Sequence, residues 1–158
     1  MNNVSDNSIK IEDEMILKTR YVKILNRTVK KLGKRLVIEF LVVGGQILPY
    51  FQDRGRWYVV LVSQYRPAVK NETLEAPGGR IDDGETEKKA LSRELEEETG
   101  IKVTPHSIKI VVREYLHPPC LDLQLIGAIV KINATMVENK KIAGKKSENE
   151  KTRVEILN

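Results

Sequence analysis

Carboxylate side chains crowd a short stretch of the chain that opens with a glycine pair. Glu94, Glu97 and Glu98 lie within five residues of one another, and Gly78 and Gly79 precede them. Carboxylate oxygens are the ligands that hard divalent cations such as Mg²⁺ prefer, usually together with water and substrate phosphates. The stretch therefore predicts a loop and a helix that bind divalent metal ions.

Helical geometry places these three carboxylates on one flank. At about 100° per residue, Glu98 lies about 40° and Glu97 about −60° from Glu94, so all three share a wedge of about 100°. Leu91 and Leu95 continue an apolar side of the same helix. We therefore expect one flank to pack on a sheet and the adjoining flank to present acid.

An ordinary solvated face is the alternative for such a helix, because charged helix faces usually contact only water. Arg93, four residues before Glu97, has the spacing of an ion pair. The glycines at 78 and 79 favour the metal site, because they let a backbone carbonyl or amide approach the same ions closely. Gly100 lies where a left-handed helix cap belongs.

The elements around this helix predict an α/β fold. The run from Trp57 to Ser63 is apolar on both faces, as a central strand is, and Pro67 ends it because proline donates no ladder hydrogen bond. Together with one predicted helix, the pattern predicts a mixed sheet. Further strands are predicted at residues 46–50, 101–103, 108–116, 121–130 and 153–157, with a break at Gly44–Gly45 and a polar loop at 69–73.

Residues 1–43 predict a leader and a small β subdomain ahead of the main domain, residues 44–158. Residues 1–13 are polar and lack periodicity, which is typical of a mobile leader. Residues 15–26 and 36–43 read as two strands joined by a turn at residues 30–34.

The composition of the chain limits which classes of function are possible. The 158 residues are 41% hydrophobic and 31% charged with a net charge of +5, as expected for one globular domain. No apolar run approaches the roughly 20 residues of a membrane helix, and the N-terminus has no secretion-signal pattern. The lone Cys120 forms no internal disulfide, so a cytoplasmic setting is expected. The basic balance makes nucleic acid a minority interpretation, since the lysines are scattered.

The spacing of the stretch resembles the signature of the Nudix hydrolases, which specifies Gly79, Glu85, Arg93, Glu94, Leu95, Glu97, Glu98, Gly100 and Ile101. The resemblance implies an α/β/α sandwich and Mg²⁺, with Mn²⁺ as the alternative ion. It implies that Glu94 and Glu98 are the main metal ligands, that Glu97 assists or orients, and that the Gly78 carbonyl completes the site. All three glutamates would be both metal ligands and catalytic residues. Arg93 would brace the glutamates, with support from Glu85.

Residues 64–67 and 74–79, with Pro118 and Pro119, resemble the ADP-ribose pyrophosphatase branch. That resemblance implies hydrolysis of ADP-ribose to AMP and ribose 5-phosphate. It implies a homodimer through the N-terminal strands, in which Tyr21 stacks on adenine or belongs to the core. Arg66, and less strongly Arg35, would bind the substrate; the alternative for each is a surface charge.

The sequence departs from the family in one respect. The family often has a further catalytic glutamate in a late loop and then a terminal helix, and neither is evident here. Glu138, Glu148 and Glu150 are the late candidates, and no motif selects one. The base is therefore one of these, or Glu98 with its neighbours, or activity is reduced.

Two alternatives to ADP-ribose hydrolysis stay open. In the first, the substrate is another nucleoside diphosphate derivative, such as NADH, a dinucleoside polyphosphate, a nucleotide sugar or capped RNA. In the second, the chain is a non-catalytic nucleotide-binding module. His117 and Cys120 lack the third, orienting group of a nucleophilic site and are interpreted as bystanders.

Overall fold

The computed structural model describes residues 11–30, 32–138 and 152–158. The described chain divides into two compact units, one of residues 11–42 and 115–123 and the other of residues 43–114 and 124–158. The predicted domain boundary after residue 43 stays a prediction.

In chain order the elements are β1 (Ile11–Lys18), β2 (Val22–Val29), β3 (Gly33–Phe40), β4 (Val43–Asp53), β5 (Arg56–Arg66), β6 (Asn71–Glu75), β7 (Gly78–Ile81), α1 (Glu87–Thr99), a 3₁₀ turn (Pro105–Ser107), β8 (Lys109–Tyr115), β9 (Gln124–Lys131), α2 (Thr135–Glu138) and β10 (Arg153–Leu157).

The first unit is an antiparallel meander in the order β1-β2-β3. The predicted leader up to residue 13 and the single strand over residues 15–26 are wrong in detail, since β1 already begins at Ile11 and a turn separates it from β2. The Thr19 hydroxyl makes this turn by accepting a hydrogen bond from the Val22 amide at 3.0 Å. Short polar side chains offer the backbone such local alternatives to a ladder. A register shift between Met15 and Leu17 also interrupts the alternation on which the sequence argument relied.

The second unit is built on a seven-stranded mixed sheet in the order β10-β5-β4-β9-β8, with β6 paired to β5 and β7 paired to β4. β4 and β9 are parallel, whereas β5 is antiparallel to β4, β6 and β10. The predicted α/β class with a mixed sheet is confirmed. The central position of the strand that begins near Trp57 is confirmed too, because β5 has partners along both edges.

The predicted break at Gly44–Gly45 is wrong, because β4 runs through both glycines. A Cβ atom at Gly45 would lie 3.0 Å from Cδ2 of Leu91 on α1. These glycines therefore serve close packing inside a strand rather than chain reversal.

Two further predictions are corrected. Residues 69–73 were expected to form a loop, yet β6 begins at Asn71 and pairs along β5. Residues 101–103 were expected to form a strand, but Ile101 is fully buried in the core and the chain then enters the 3₁₀ turn. The final strand, β10, is confirmed.

The core lies between α1 and one face of the sheet. Leu91 and Leu95 of α1 are at most 1% exposed and pack in one cluster with Ile47 of β4 and Val60 of β5, as the helix pattern predicted. Burial of each such side chain contributes about 1.5–3 kcal/mol. Val137 of α2 joins the same cluster.

Both described helices thus belong to one core. Within residues 11–30, 32–138 and 152–158, the α-helices are α1 and α2. None of the helices in that part of the chain has the length and apolar character needed to cross a membrane.

An ion-pair network joins the strands of the meander. The Arg27 guanidinium on β2 donates to Asp13 on β1 at 2.9 and 2.7 Å and to Glu39 on β3. Lys23 also donates to Glu39 at 3.3 Å. The hydrogen bond from Arg27 lowers the pKa of Glu39 below its ordinary value of 4.5, although burial opposes this shift.

A pH dependence of stability follows from Glu39. A carboxyl whose folded-state pKa is lowered stabilises the fold above its unfolded pKa, and this contribution is lost as the pH falls through the folded value. We expect Glu39→Gln to melt several degrees below wild type near pH 7. The difference should shrink as the pH falls below 4.5 and disappear once the pH is below the lowered folded-state pKa, as measured by circular dichroism melts across pH. A gap of the same size at every pH would contradict this account.

Candidate active site

The acidic helix α1 starts after a short turn and stops at a glycine. Thr86 has extended backbone, and its carbonyl accepts the Lys89 and Ala90 amides at 2.9 and 3.0 Å. At the other end Gly100 is left-handed, with φ 72°, and its amide donates to the Glu96 carbonyl at 2.8 Å. Glycine adopts this conformation without a Cβ clash, which matches the helix end predicted from the sequence.

Arg93 lies at the centre of the carboxylates on α1. Its Nη1 donates to Glu94 at 2.7 Å and to Glu97 at 3.4 Å. Its Nε and Nη2 donate to the Glu85 carboxylate at 3.3 and 3.0 Å, and Nη2 also reaches the Arg80 carbonyl at 3.1 Å. One guanidinium thus contacts three carboxylates and ties the helix to the end of β7.

The glycine pair at the start of β7 makes the other half of the site. The Gly78 amide donates to Oε2 of Glu98 at 2.9 Å. A Cβ atom at Gly79 would lie 2.6 Å from Cδ and Oε1 of Glu94, so only glycine leaves room for that carboxylate. Two carboxylates of one helix flank therefore meet two successive backbone positions.

Charge and burial act against each other at Glu94. Burial raises the pKa of Glu94, the negative charges of Glu97 and Asp82 raise this pKa further, and Arg93 opposes the shift. The pKa of Arg93 is raised in turn, chiefly by its hydrogen bonds to Glu85 and Glu94. The site thus holds more negative charge than its one guanidinium compensates.

These donors suit a hard divalent cation in chemistry, since every one is an oxygen. In the described residues, however, no three carboxylate, imidazole or thiolate side chains come together as a ready cage for an ion. Arg93 lies between Glu94 and Glu97, while Glu98 is held at the Gly78 amide. The residues that could hold a metal are therefore the ones predicted from the sequence. The Arg93 guanidinium lies among them and pairs with Glu94 and Glu97.

A family model described as the NUDIX domain matches residues 45–129, just over half of the chain. The chain belongs to the Nudix family. The Nudix spacing identified in the sequence lies wholly within the matched residues. Nudix hydrolases generally use divalent metal ions such as Mg²⁺.

Similar proteins agree with this assignment. Over 99 residues the chain is 36% identical to a Caenorhabditis elegans protein with a nudix hydrolase name, across 61% of this chain and 43% of that protein. It is 54% identical over 44 residues to the ADP-sugar pyrophosphatase of Mus musculus (28% and 20%). It is 33% identical over 95 residues to the ADP-ribose pyrophosphatase of Saccharomyces cerevisiae (58% and 39%). The predicted resemblance to the ADP-ribose pyrophosphatase-like branch is confirmed, while each match spans less than half of the relative's length.

The two predicted substrate arginines of this Nudix chain lie in different units. Arg66 ends β5 in the sheet unit, where its Nε and Nη2 donate to the Glu75 carboxylate at 2.9 and 2.7 Å. Arg35 lies on β3 in the other unit, exposed, with Nη1 donating to the Lys34 carbonyl at 2.9 Å.

Sequence reasoning missed Glu75. Its link to Arg66 follows from the pairing of β6 with β5, and residues 69–73 had been assigned to a loop. The alternation of Asn71, Thr73 and Glu75 was the signal that could have shown a strand.

Other predicted residues have plain surroundings. Tyr21 is 41% exposed, with the Arg20 guanidinium 4.4 Å from its ring centre, so it is not a core residue. His117 and Cys120 lie in one turn, closed by a 3.2 Å hydrogen bond from the Cys120 amide to the His117 carbonyl. Glu138 ends α2, and Glu148 and Glu150 lie outside the described residues.

Substitutions of the two glycines should separate stability from ion binding. A Cβ at Gly78 would lie 2.1 Å from the Gly45 carbonyl oxygen, which is backbone and cannot move aside. We expect Gly78→Ala to cost on the order of 3 kcal/mol of stability. The Cβ added by Gly79→Ala meets only the movable end of the Glu94 side chain, so the melting temperature should change less than in Gly78→Ala. The Mn²⁺ affinity should fall about tenfold. Thermal melts and Mn²⁺ titration followed by electron paramagnetic resonance measure both effects.

Gly44→Ala is the matched control, because a Cβ there would lie 3.7 Å from Leu125, an ordinary contact. It should leave both melting temperature and Mn²⁺ affinity near wild type. Unchanged Mn²⁺ affinity in Gly79→Ala would show that Glu94 does not bind the ion.

Proposed function

We propose that the protein hydrolyses the diphosphate bond of ADP-ribose to AMP and ribose 5-phosphate with Mg²⁺, or with Mn²⁺ in its place. The observation that carries this proposal is the meeting of Glu98 and Glu94 with Gly78 and Gly79. The similarity to the ADP-ribose pyrophosphatase of Saccharomyces cerevisiae supports the substrate.

Glu94, Glu97, Glu98 and the Gly78 carbonyl are the proposed metal ligands. Bound divalent ions supply charge neutralisation of the diphosphate and lower the pKa of an attacking water. The Gly78 amide orients Glu98 through its 2.9 Å hydrogen bond, and such supporting contacts fix the direction of a ligand. Arg93 pairs with Glu94 and Glu97 through one nitrogen and so offsets the repulsion between them.

Arg66 is the proposed partner of the substrate diphosphate or ribose, and Arg35 is the weaker candidate. A guanidinium suits this role because its planar set of N–H donors matches phosphate oxygens in pairs. The proton of the attacking water passes to Glu98 and its neighbours, or to Glu138, Glu148 or Glu150.

The variant Glu98→Gln tests the site. Glutamine keeps an oxygen that accepts the Gly78 amide, so folding should be unchanged, but it loses the charge. We expect kcat for ADP-ribose to fall on the order of 100-fold or more, with an unaltered melting temperature. Glu96→Gln on the same helix, where Glu96 pairs with Lys102 at 2.9 Å, is the control and should retain activity. Wild-type turnover by Glu98→Gln would remove Glu98 from the catalytic set.

A substrate panel tests the specificity. ADP-ribose, NADH, a dinucleoside polyphosphate, a nucleotide sugar and capped RNA are compared at equal concentration with Mg²⁺, and products are identified by chromatography. The highest kcat/KM is expected for ADP-ribose. Faster cleavage of another compound would assign the protein to that substrate.

A non-catalytic nucleotide-binding module is the second candidate. It is favoured by one observation, namely that Arg93 lies among the carboxylates and that no ready cation cage is found in the described part of the chain. Nucleotide binding without turnover of any compound in the panel would establish this role instead.

We also propose a cytoplasmic homodimer formed through residues 1–43. The support is the meander, where several apolar side chains are about half exposed: Ile11, Met15, Ile16, Leu17 and Leu36. Light scattering after size exclusion should give twice the 18.0 kDa of the chain. Ile16→Glu should yield a monomer, whereas Thr28→Glu, an equal charge at an exposed polar position of β2, should not. A monomeric wild type at micromolar concentration would contradict the dimer.

A further inference from the structure

The Arg66–Glu75 pair is a two-point clamp on one face of the sheet. Arg66 lies opposite Asn71 and Glu75 lies opposite Val62, so the arginine side chain extends back along β6 to reach the glutamate. Its Nε and Nη2 donate to the two carboxylate oxygens at 2.9 and 2.7 Å. Two parallel hydrogen bonds fix the plane of a guanidinium as well as its position.

The carboxylate of this clamp is itself held. The Thr73 hydroxyl lies against Oε1 of Glu75 and 3.3 Å from the Gln64 carbonyl. The hydrogen bond from Arg66 lowers the pKa of Glu75, and Thr73 adds to this effect against the opposing influence of burial. Glu75 is therefore an ionised and oriented partner at neutral pH.

Exposure differs between the two partners. The Arg66 side chain is 40% exposed and that of Glu75 is 21% exposed. The glutamate thus supports the guanidinium from the more buried side, while the arginine retains access to solvent. An ion pair kept only for stability would contribute little at this exposure.

The clamp also lies next to the candidate active site in the chain. Glu75 is the last residue of β6, three positions before Gly78, whose amide holds Glu98. Between them, the Pro77 carbonyl accepts the Ile47 amide at 2.8 Å, which ties this link to β4. The strand that orients Arg66 therefore continues directly into the backbone that orients Glu98.

We propose that Glu75 is a positioning residue that holds the Arg66 guanidinium in place for the diphosphate of the substrate. This inference rests on the proposed binding of ADP-ribose by Arg66. Glu75 does not touch the substrate, and its effect passes entirely through Arg66. Arg66 would bind the diphosphate with equal strength before and during the reaction. Loss of Glu75 should therefore change KM rather than kcat.

A double-mutant cycle tests this role, because coupling between two residues shows as a failure of additivity. Wild type, Glu75→Gln, Arg66→Ala and the double variant are compared by ADP-ribose hydrolysis and by calorimetric titration with ADP-ribose. Glu75→Gln should raise KM and Kd about tenfold, equal to about 1.4 kcal/mol, with kcat within about twofold of wild type. In the Arg66→Ala background the same change should alter Kd by less than about twofold.

Glu72→Gln is the matched control. Glu72 lies on β6 but alternates to the other face, where it pairs with Arg153 at 2.6 Å. The substitution Glu72→Gln removes the same charge from the same strand and should leave KM and Kd at wild-type values. Circular dichroism melts confirm that each variant is folded.

The remaining outcomes separate the role of Glu75 from the proposed function. An equal effect of Glu75→Gln with and without Arg66 would mean that Glu75 acts on the fold alone. Tighter binding by Glu75→Gln would mean that the carboxylate masks Arg66. Binding of ADP-ribose without hydrolysis by wild type would overturn the proposed function, while the cycle measured on Kd would still decide the role of Glu75. Absence of ADP-ribose binding by wild type would overturn both.

Discussion

Charge compensation by Arg93 is the interaction on which the acidic helix depends. Like charges three or four residues apart destabilise a helix by a few tenths of a kcal/mol per pair, and burial adds a desolvation cost at Glu94. Arg93 contacts Glu85, Glu94 and Glu97 with one guanidinium and extends to the Arg80 carbonyl. The same residue therefore keeps the acid flank folded and lies where a metal ion would compete for the carboxylates.

Close approach of backbone is the second constraint. Gly78 runs against the backbone of Gly45 so tightly that β7 has no space for a side chain there, and Gly79 gives its own space to Glu94. Leu91 fills the face of Gly45 from the helix side. The helix, β4 and β7 are thus packed through glycines, and this packing sets the carboxylates against main-chain groups rather than side chains.

The sequence predicted the parts of this fold that depend on local pattern. The helix end at Gly100, the apolar flank at Leu91 and Leu95 and the central β5 all follow from periodicity and from caps. Two of the errors have a related cause. Gly44–Gly45 and residues 71–73 contain residue types that usually end strands, yet pairing with β7 holds the glycines in a strand and pairing with β5 holds residues 71–73 in one. Tertiary pairing overrides local propensity at such positions.

By itself, the sequence predicted which residues carry the chemistry, because a long spacing of glycine and carboxylates on a 3.6-residue period can be read without coordinates. It also determined the family. Only the tertiary structure decided which groups meet: that Glu98 is held by the Gly78 amide, that Arg93 lies between the carboxylates, and that Arg66 is tied to Glu75. The reason is physical, since hydrogen bonds of this kind join strands and helices whose mutual placement depends on the packing of the whole sheet and not on neighbours in sequence.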